Sequence, residues 1–258
     1  VSWIPDSARS DTSLRIASAA SEQYFFENLR YPSGKLKGMK KVVEMFITEE
    51  LRWFWEGESK VAKLKEWFDA HALNDCGPGG PKSRTDEYLL LHLQTELGIK
   101  KRGGSNGVEI KGLIEKQKKY LNAEPFTGYT QTWCKWKGDK ITFQSEELLK
   151  VRKQRWFRLF DAEGSIKEIA LGVDEEPLYG KSVPSNGCSV ELTRLTLKDE
   201  SIWWTFCLEA FGELNEVHQN LEQVAKVLAT TAPPLPASGE ALSYPDWLCK
   251  INPKGNQT

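Results

Sequence analysis

"GIKKRGGSNGVEIKG", residues 98–112, reads as two strand-like arms joined by a glycine-rich turn. Lys100 and Arg102 stand two apart on the first arm, and Glu109 and Lys111 two apart on the second. Alternate side chains of a strand point to opposite faces, so each pair shares a face. The same spacing recurs further along. Lys135 and Lys137 alternate in "WCKWKG", and Lys153 and Arg155 in "KVRKQRWFRLFD", where Arg152 and Arg158 take the other face. Carboxylates enter on later strands, with Glu191 in "SVELTRLTL" and Glu209 in "WWTFCLEAFG". Any one such pair suits a solvated sheet face with cross-strand charge pairing. Repetition on successive strands, with Trp, Val, Ile and Leu supplying a second face, raises charges gathered on the inner side of a curved sheet to an equal alternative.

The remainder of the 258 residues fits that frame. Turn signals at "GGSNG", "KGD", "AEG", "SNG" and "KDE" separate strand-like runs, as an antiparallel meander requires. Strands are expected at 46–55, 88–93, 97–102, 108–114, 129–137, 141–143, 151–160, 166–173, 189–197 and 202–211. On the first, Thr48, Glu50, Arg52 and Phe54 share one face, and Glu49, Leu51, Trp53 and Trp55 the other. Helices are expected over 58–72, 145–150 and 212–229, the last carrying a stripe of Leu214, Val217, Leu221, Val224 and Leu228. The pattern gives an α+β fold built on one large antiparallel sheet or β-barrel with flanking helices. Residues 1–38 read as an N-terminal extension, 39–230 as the body, and 231–258 as a linker and tail whose "SYPDWL" docks back on it.

Charge and cysteine content narrow the function. A net charge of -1 gives no bulk grip on nucleic acid or on a membrane surface, so a basic site must be local. No apolar run reaches the roughly 20 residues of a membrane span. The N-terminus shows no signal-peptide apolar run, and five scattered cysteines without a CxxC pair suit reduced thiols. The expected location is cytoplasmic. Converging Arg and Lys bind phosphate strongly and directionally, so the expected partner is a phosphate-rich small molecule or nucleotide.

The order of these motifs resembles the CYTH-like, or triphosphate tunnel, family, which includes thiamine triphosphatases, inorganic triphosphatases and class IV adenylate cyclases. "RTDEYLL" is similar to the strand leading into that family's tyrosine–aspartate segment, and "LGIKKRGG" to its R-x-R strand. "VEIKG" resembles the strand ending in a tunnel lysine, "VRKQRWF" the K-x-R strand, and "SVELTRL" the acidic strand. The likeness spans about residues 46–229 and implies an eight-stranded antiparallel barrel enclosing a tunnel. It implies phosphate binding by Arg52, Lys100, Arg102, Lys111, Lys153 and Arg155. Glu50, Glu191 and Glu209, with Glu109 as a further candidate, would hold Mg2+ or Mn2+ for metal-dependent phosphoanhydride hydrolysis. Two departures weaken the metal half of the pattern. The family's E-x-E-x-K strand is here Thr48-x-Glu50-x-Arg52, and the acidic strand keeps only Glu191 between Ser189 and Thr193. The alternative is a non-catalytic nucleotide- or polyphosphate-binding module with an eroded metal site.

Other signals fail on their chemistry. "GPGGPKS" (77–83) lacks phosphate-loop spacing and sets Pro81 where a donating N–H is needed. His71, His92 and His218 lie apart from one another and from any cysteine pair, which suits packed or helix-face histidines.

Overall fold

The first strand, β1 (Glu44–Glu56), shows why the sheet curves as it does. Leu51, Trp53 and Trp55 are buried on one face beneath helices, while Glu50, Arg52 and Phe54 are buried on the other. A strand covered on both sides, with charge on one of them, needs partners that wrap round that side. The strands supply this wrap. They are β2 (Ser83–Leu89), β3 (Leu97–Lys101), β4 (Val108–Leu113), β5 (Tyr120–Ala123), β6 (Phe126–Tyr129), β7 (Gln131–Gly138), β8 (Leu148–Asp161), β9 (Lys167–Ile169), β10 (Gly187–Thr196), β11 (Ile202–Phe211) and β12 (Glu240–Ala241). The helices are α1 (Ala62–His71), α2 (Val217–Ala229) and α3 (Tyr244–Ile251). The structure is a computed structural model and describes residues 44–72, 81, 83–91, 93–104, 107–114, 119–138 and 148–252, all within one compact unit, 41–258.

The main sheet runs β10-β11-β1-β7-β4-β3-β2-β8, and a further β8–β10 pairing returns to the start. Eight strands thus close a ring, and every pairing is antiparallel. Closure removes the exposed edges that an open sheet of this size would leave. Against the outside of the ring, Leu51, Trp53, Trp55 and Phe206 pack with Leu64 and Phe68 of α1 and Leu221, Val224 and Leu228 of α2. One end of the interior is apolar: Phe54, Tyr88, Val151 and Leu195 meet Trp247 and Leu248 of α3. Trp247 stacks on Phe54 at 5.1 Å between ring centroids. The docking is fixed by a capping box, in which Ser243 accepts from the Asp246 N–H and Asp246 accepts from the Ser243 N–H.

Several expectations shift. The strand expected at 88–93 lies at Ser83–Leu89, since Ser83 to Leu89 pair continuously with Gln154 to Leu148 of β8. Residues 148–150, expected as helix, are strand because the same ladder holds Leu148 to Lys150. Ile166–Val173 shortens to the three residues of β9. The long helix starts at Val217, leaving Leu214 exposed before it. The expectations for 1–43, the strand at 141–143 and His92 lie outside the described residues.

The turn of the opening hairpin uses its glycines for two reasons. Gly104 adopts φ 82°, a conformation that side-chain-bearing residues rarely take. Gly103 lies so close to β2 that a Cβ there would sit 2.2 Å from the Thr85 carbonyl oxygen. That closeness brings the Gly103 N–H to Asp86, 3.2 Å away.

Candidate functional site

The even-numbered residues of β1 and β2 and the odd-numbered ones of β4, β7, β8, β10 and β11 send their charged groups into the ring. These groups contact one another within a strand, between neighbouring strands and, for Arg52–Glu191, Lys111–Glu50 and Lys135–Glu209, past one intervening strand. Nearest the apolar end, Arg52 lies with Cζ 4.7 Å over the Tyr244 ring and donates to Thr205 Oγ1 at 3.4 Å. Lys153 donates to the hydroxyls of Tyr88 and, at 3.0 Å, Tyr244. Its Nζ is also 3.3 Å from Asp86. Asp86 accepts as well from Arg84 Nε at 3.1 Å, with Lys100 at 3.7 Å. Arg52 and Lys153 expose only 4% of their side chains, so they are packed into the base of the site.

One layer outward, Arg52 lies 3.8 Å from Glu50 and 3.7 Å from Glu191. Arg155 donates to Glu191 at 2.8 Å. Nearer solvent, Lys100 pairs with Glu109 at 2.9 Å, and Arg102 approaches the same carboxylate at 3.8 Å. Side-chain exposure rises to 24% at Lys100, 33% at Lys135 and 36% at Arg102, so these cations are reachable from outside.

The register produces an arrangement that strand chemistry ordinarily avoids. Lys111 of β4 stands directly opposite Lys135 of β7, and Glu50 of β1 directly opposite Glu209 of β11. Like charges facing each other across a ladder are destabilising. Here the two like pairs sit on four successive strands, β11-β1-β7-β4, and each lysine reaches past one strand to a carboxylate: Lys111 donates to Glu50 at 2.5 Å, and Lys135 donates to Glu209. A cationic pair and an anionic pair thus neutralise each other at the centre of the interior.

Titration follows from these contacts. Burial pushes the Glu50 carboxyl up, but Lys111, Arg52 and Lys135 together pull it down to about 2. Burial likewise raises Glu109, and Lys100 and Arg102 bring it to about 2. Asp86 and Glu191 also lie well below the carboxylate range; burial opposes this and is outweighed by Lys153, Lys100 and Arg84 for the first and by Arg155 and Arg52 for the second. For Lys153 burial dominates and its ammonium is pushed well below the usual lysine value despite Asp86. A carboxyl whose folded value is depressed stabilises the fold above its unfolded value, near 4.5 for Glu, and that contribution is lost as pH falls through the folded value. Thermal melts are therefore expected to hold steady from pH 7 to 5 and to fall steeply between about pH 4.5 and 2. A melting temperature that stays level across that window would contradict the buried pairing.

The structure brings Arg52, Lys111, Arg155, Glu50, Glu191 and Glu209 into one connected network, with Lys100, Arg102, Glu109 and Lys153 on its flanks. Their roles differ: Lys153 and Arg52 are base residues, while Lys100, Arg102, Lys111, Lys135 and Arg155 line the accessible part. Sequence reading left Arg84, Asp86 and Lys135 out of the site. The first two keep the same two-residue spacing in "RTDEYLL", but a strand begun at Tyr88 omits them. Tyr244 and Glu175, which binds Arg155 from a loop, carry no periodic signal at all. Among the described residues, no group of three or more His, Cys, Asp and Glu side chains converges to hold a metal ion. The donor set still fits a hard cation in part, because Mg2+ commonly takes one or two carboxylates and completes its shell with phosphate oxygens and water. Glu50 and Glu209, adjacent across one ladder, are such a pair. All three carboxylates are paired with cations, Glu50 with Lys111 and Arg52, Glu209 with Lys135, and Glu191 with Arg52 and Arg155.

Cys134, Cys188, Cys207 and Cys249 are free thiols, and Cys207 points into the ring between Glu191 and Arg52 in the register. Burial raises its thiol well above the usual range, which leaves it inert. No helix among the described residues is long and apolar enough to cross a membrane. Comparisons of the chain with protein-family models, with curated proteins and with solved structures each found no match.

Proposed function

We propose that the ring is a tunnel-like site that binds a phosphate-rich anion, a triphosphate or a nucleotide, as the resemblance to triphosphate tunnel proteins implies. The observation that carries this reading is the pair of like-charged ladders, Lys111 beside Lys135 and, on the next two strands, Glu50 beside Glu209. Adjacent ammonium groups on neighbouring strands, shared at rest with Glu50 and Glu209, suit an anion with several oxygens that takes the place of those carboxylates. Lys100, Arg102 and Arg155 extend that cationic wall, and Asp86, Glu109 and Glu191 hold its cations in fixed positions. Donors fixed in advance around a buried anion lose little freedom on binding.

The eroded metal pattern favours binding over hydrolysis. In the hydrolytic version Glu50 and Glu209 would hold Mg2+ or Mn2+ together with the ligand's phosphates, and the ion would supply charge neutralisation and Lewis-acid activation. The chain's own part would be to orient the phosphates on Lys111, Lys135 and Arg155 and to stabilise charge developing on their oxygens. The base, Arg52 with Lys153, Tyr88 and Tyr244, would exclude water from the closed end.

Inorganic tripolyphosphate at 100 times its dissociation constant stabilises by about 2.7 kcal/mol, so it is expected to raise the melting temperature by roughly 5–10 °C. Released phosphate is assayed in the same samples, with and without Mg2+. Stabilisation without release supports the binding module, and release that requires Mg2+ supports the triphosphatase. If neither tripolyphosphate nor ATP stabilises the protein under either condition, the reading fails.

A further inference from the structure

Between β9 and β10 the chain makes a tight loop that packs against β8 and β11. Leu171 bridges to Pro177, the Gly172 N–H donates to the Glu176 carbonyl at 2.9 Å, and the Glu175 N–H donates to the Gly172 carbonyl at 2.9 Å. Leu171 anchors the loop by packing with Leu159 and Ile169, against which Phe157 and Phe211 also lie. At its tip Glu175 adopts φ 65°, and Tyr179 in the same segment adopts φ 59°. Residues with side chains take this left-handed conformation infrequently, chiefly in turns such as the one closed here by the Gly172–Glu175 and Gly172–Glu176 hydrogen bonds.

From this turn the Glu175 carboxylate reaches Arg155. Arg155 Nε donates to Glu175 Oε1 at 3.0 Å and Nη2 donates to Oε2, a two-point pairing on one edge of the guanidinium. Nη1 donates to Glu191 on the other side. An edge-on, two-oxygen grip is the geometry in which a guanidinium also takes phosphate. Glu175 therefore holds the very edge of Arg155 that a phosphate would use, and it comes from a loop outside the strand framework, unlike every other carboxylate in the network.

We propose that Glu175 is a resident counter-anion that a bound phosphate must displace from Arg155, making the 170–178 loop an autoinhibitory strap. This rests on the reading of the ring interior as a phosphate site. A carboxylate tethered in the same chain competes at an effective concentration of about millimolar or above. A short anion reaching only Arg155 loses that competition. A longer one already held by Lys111 and Lys135 can win it, so the strap selects for phosphate chain length.

The test is calorimetric titration of inorganic tripolyphosphate into the wild type, Glu175→Gln and Glu176→Gln. Gln keeps the side-chain volume and removes the charge. Glu176, exposed on the same loop, controls for net charge. Glu175→Gln is expected to bind at least about tenfold more tightly, the scale of one charge-assisted contact, with Glu176→Gln within about twofold of wild type. Glu175→Gly, which also releases the left-handed backbone, is expected to behave like Glu175→Gln. If the wild type binds and Glu175→Gln binds equally or more weakly, or Glu176→Gln gains as much, the strap is overturned and the phosphate site stands. If neither wild type nor Glu175→Gln binds, the phosphate reading and the strap fall together.

Discussion

Arg52→Ala is expected to destabilise the protein by about 3–5 kcal/mol, seen as a fall in melting temperature of roughly 10 °C. Arg52 lies between Glu50 and Glu191 and over Tyr244, with almost no solvent around it. Truncation leaves two buried carboxylates with one cation fewer and opens a hole against the Tyr244 ring. The cost comes from stranding charge more than from losing a contact, because breaking a buried pair is far costlier than replacing it whole. Arg52→Met combined with Glu191→Gln is accordingly expected to recover a large part of the loss. Arg152→Ala, on the outer face and paired with the exposed Glu200, is expected to change stability by no more than about 0.5 kcal/mol. Equal effects of Arg52→Ala and Arg152→Ala in thermal melts would show that the inner charges are solvated after all.

Lys111→Met with Lys135→Met is expected to weaken tripolyphosphate binding at least about 100-fold, since each lysine contributes a charge-assisted contact of about 1.5–3 kcal/mol. Methionine keeps most of the aliphatic stem, so the packing of Lys111 against Trp133, where Nζ lies 4.4 Å from the ring centroid, is largely kept. Glu50 retains Arg52 as a partner. Glu209 loses its ammonium, so circular dichroism and a melt should accompany the titration to establish that the variant is folded. Lys100→Met, nearer solvent, provides an independent loss of smaller size. Lys150→Met, on the outer face of β8 and paired with Glu87, is expected to bind as the wild type does.

Alternation made the inner wall legible in the sequence. The faces expected for β1 are the faces observed, and Lys100, Glu109, Lys111, Lys153, Arg155, Glu191 and Glu209 all join the inner network. That succeeds because a strand's side-chain period is two and a slip of one residue would exchange a buried face for the charged one. What stayed hidden depends on partners distant in sequence. The surroundings of Lys111 are set by strand order and register, which place Lys135 beside it and Glu50 and Glu209 on the two strands beyond. Tyr244 reaches Lys153 only because α3 docks on the end of the ring, 91 residues away along the chain. The stretch at 148–150 has local helix character in "SEELLK", but its ladder to β2 overrides it. Glu175 lies in a loop without period, and its role depends on a backbone conformation that composition does not announce.

The hairpin at 98–112 takes its place within this network. Glu109, which shares a face with Lys111, pairs with Lys100 and Arg102, while Lys111 reaches past β7 to Glu50. The hairpin's carboxylate therefore fixes two accessible cations and leaves the lysine to face the opposite pair.

The central claim is that an anion of several phosphates occupies the ring interior, and isothermal titration of tripolyphosphate into the purified wild-type protein tests it most directly. The account predicts saturable binding at one site per chain, weakened by salt and at least about 100-fold weaker in the Lys111→Met, Lys135→Met variant. Absence of binding, or binding that the double variant leaves unchanged, would contradict it.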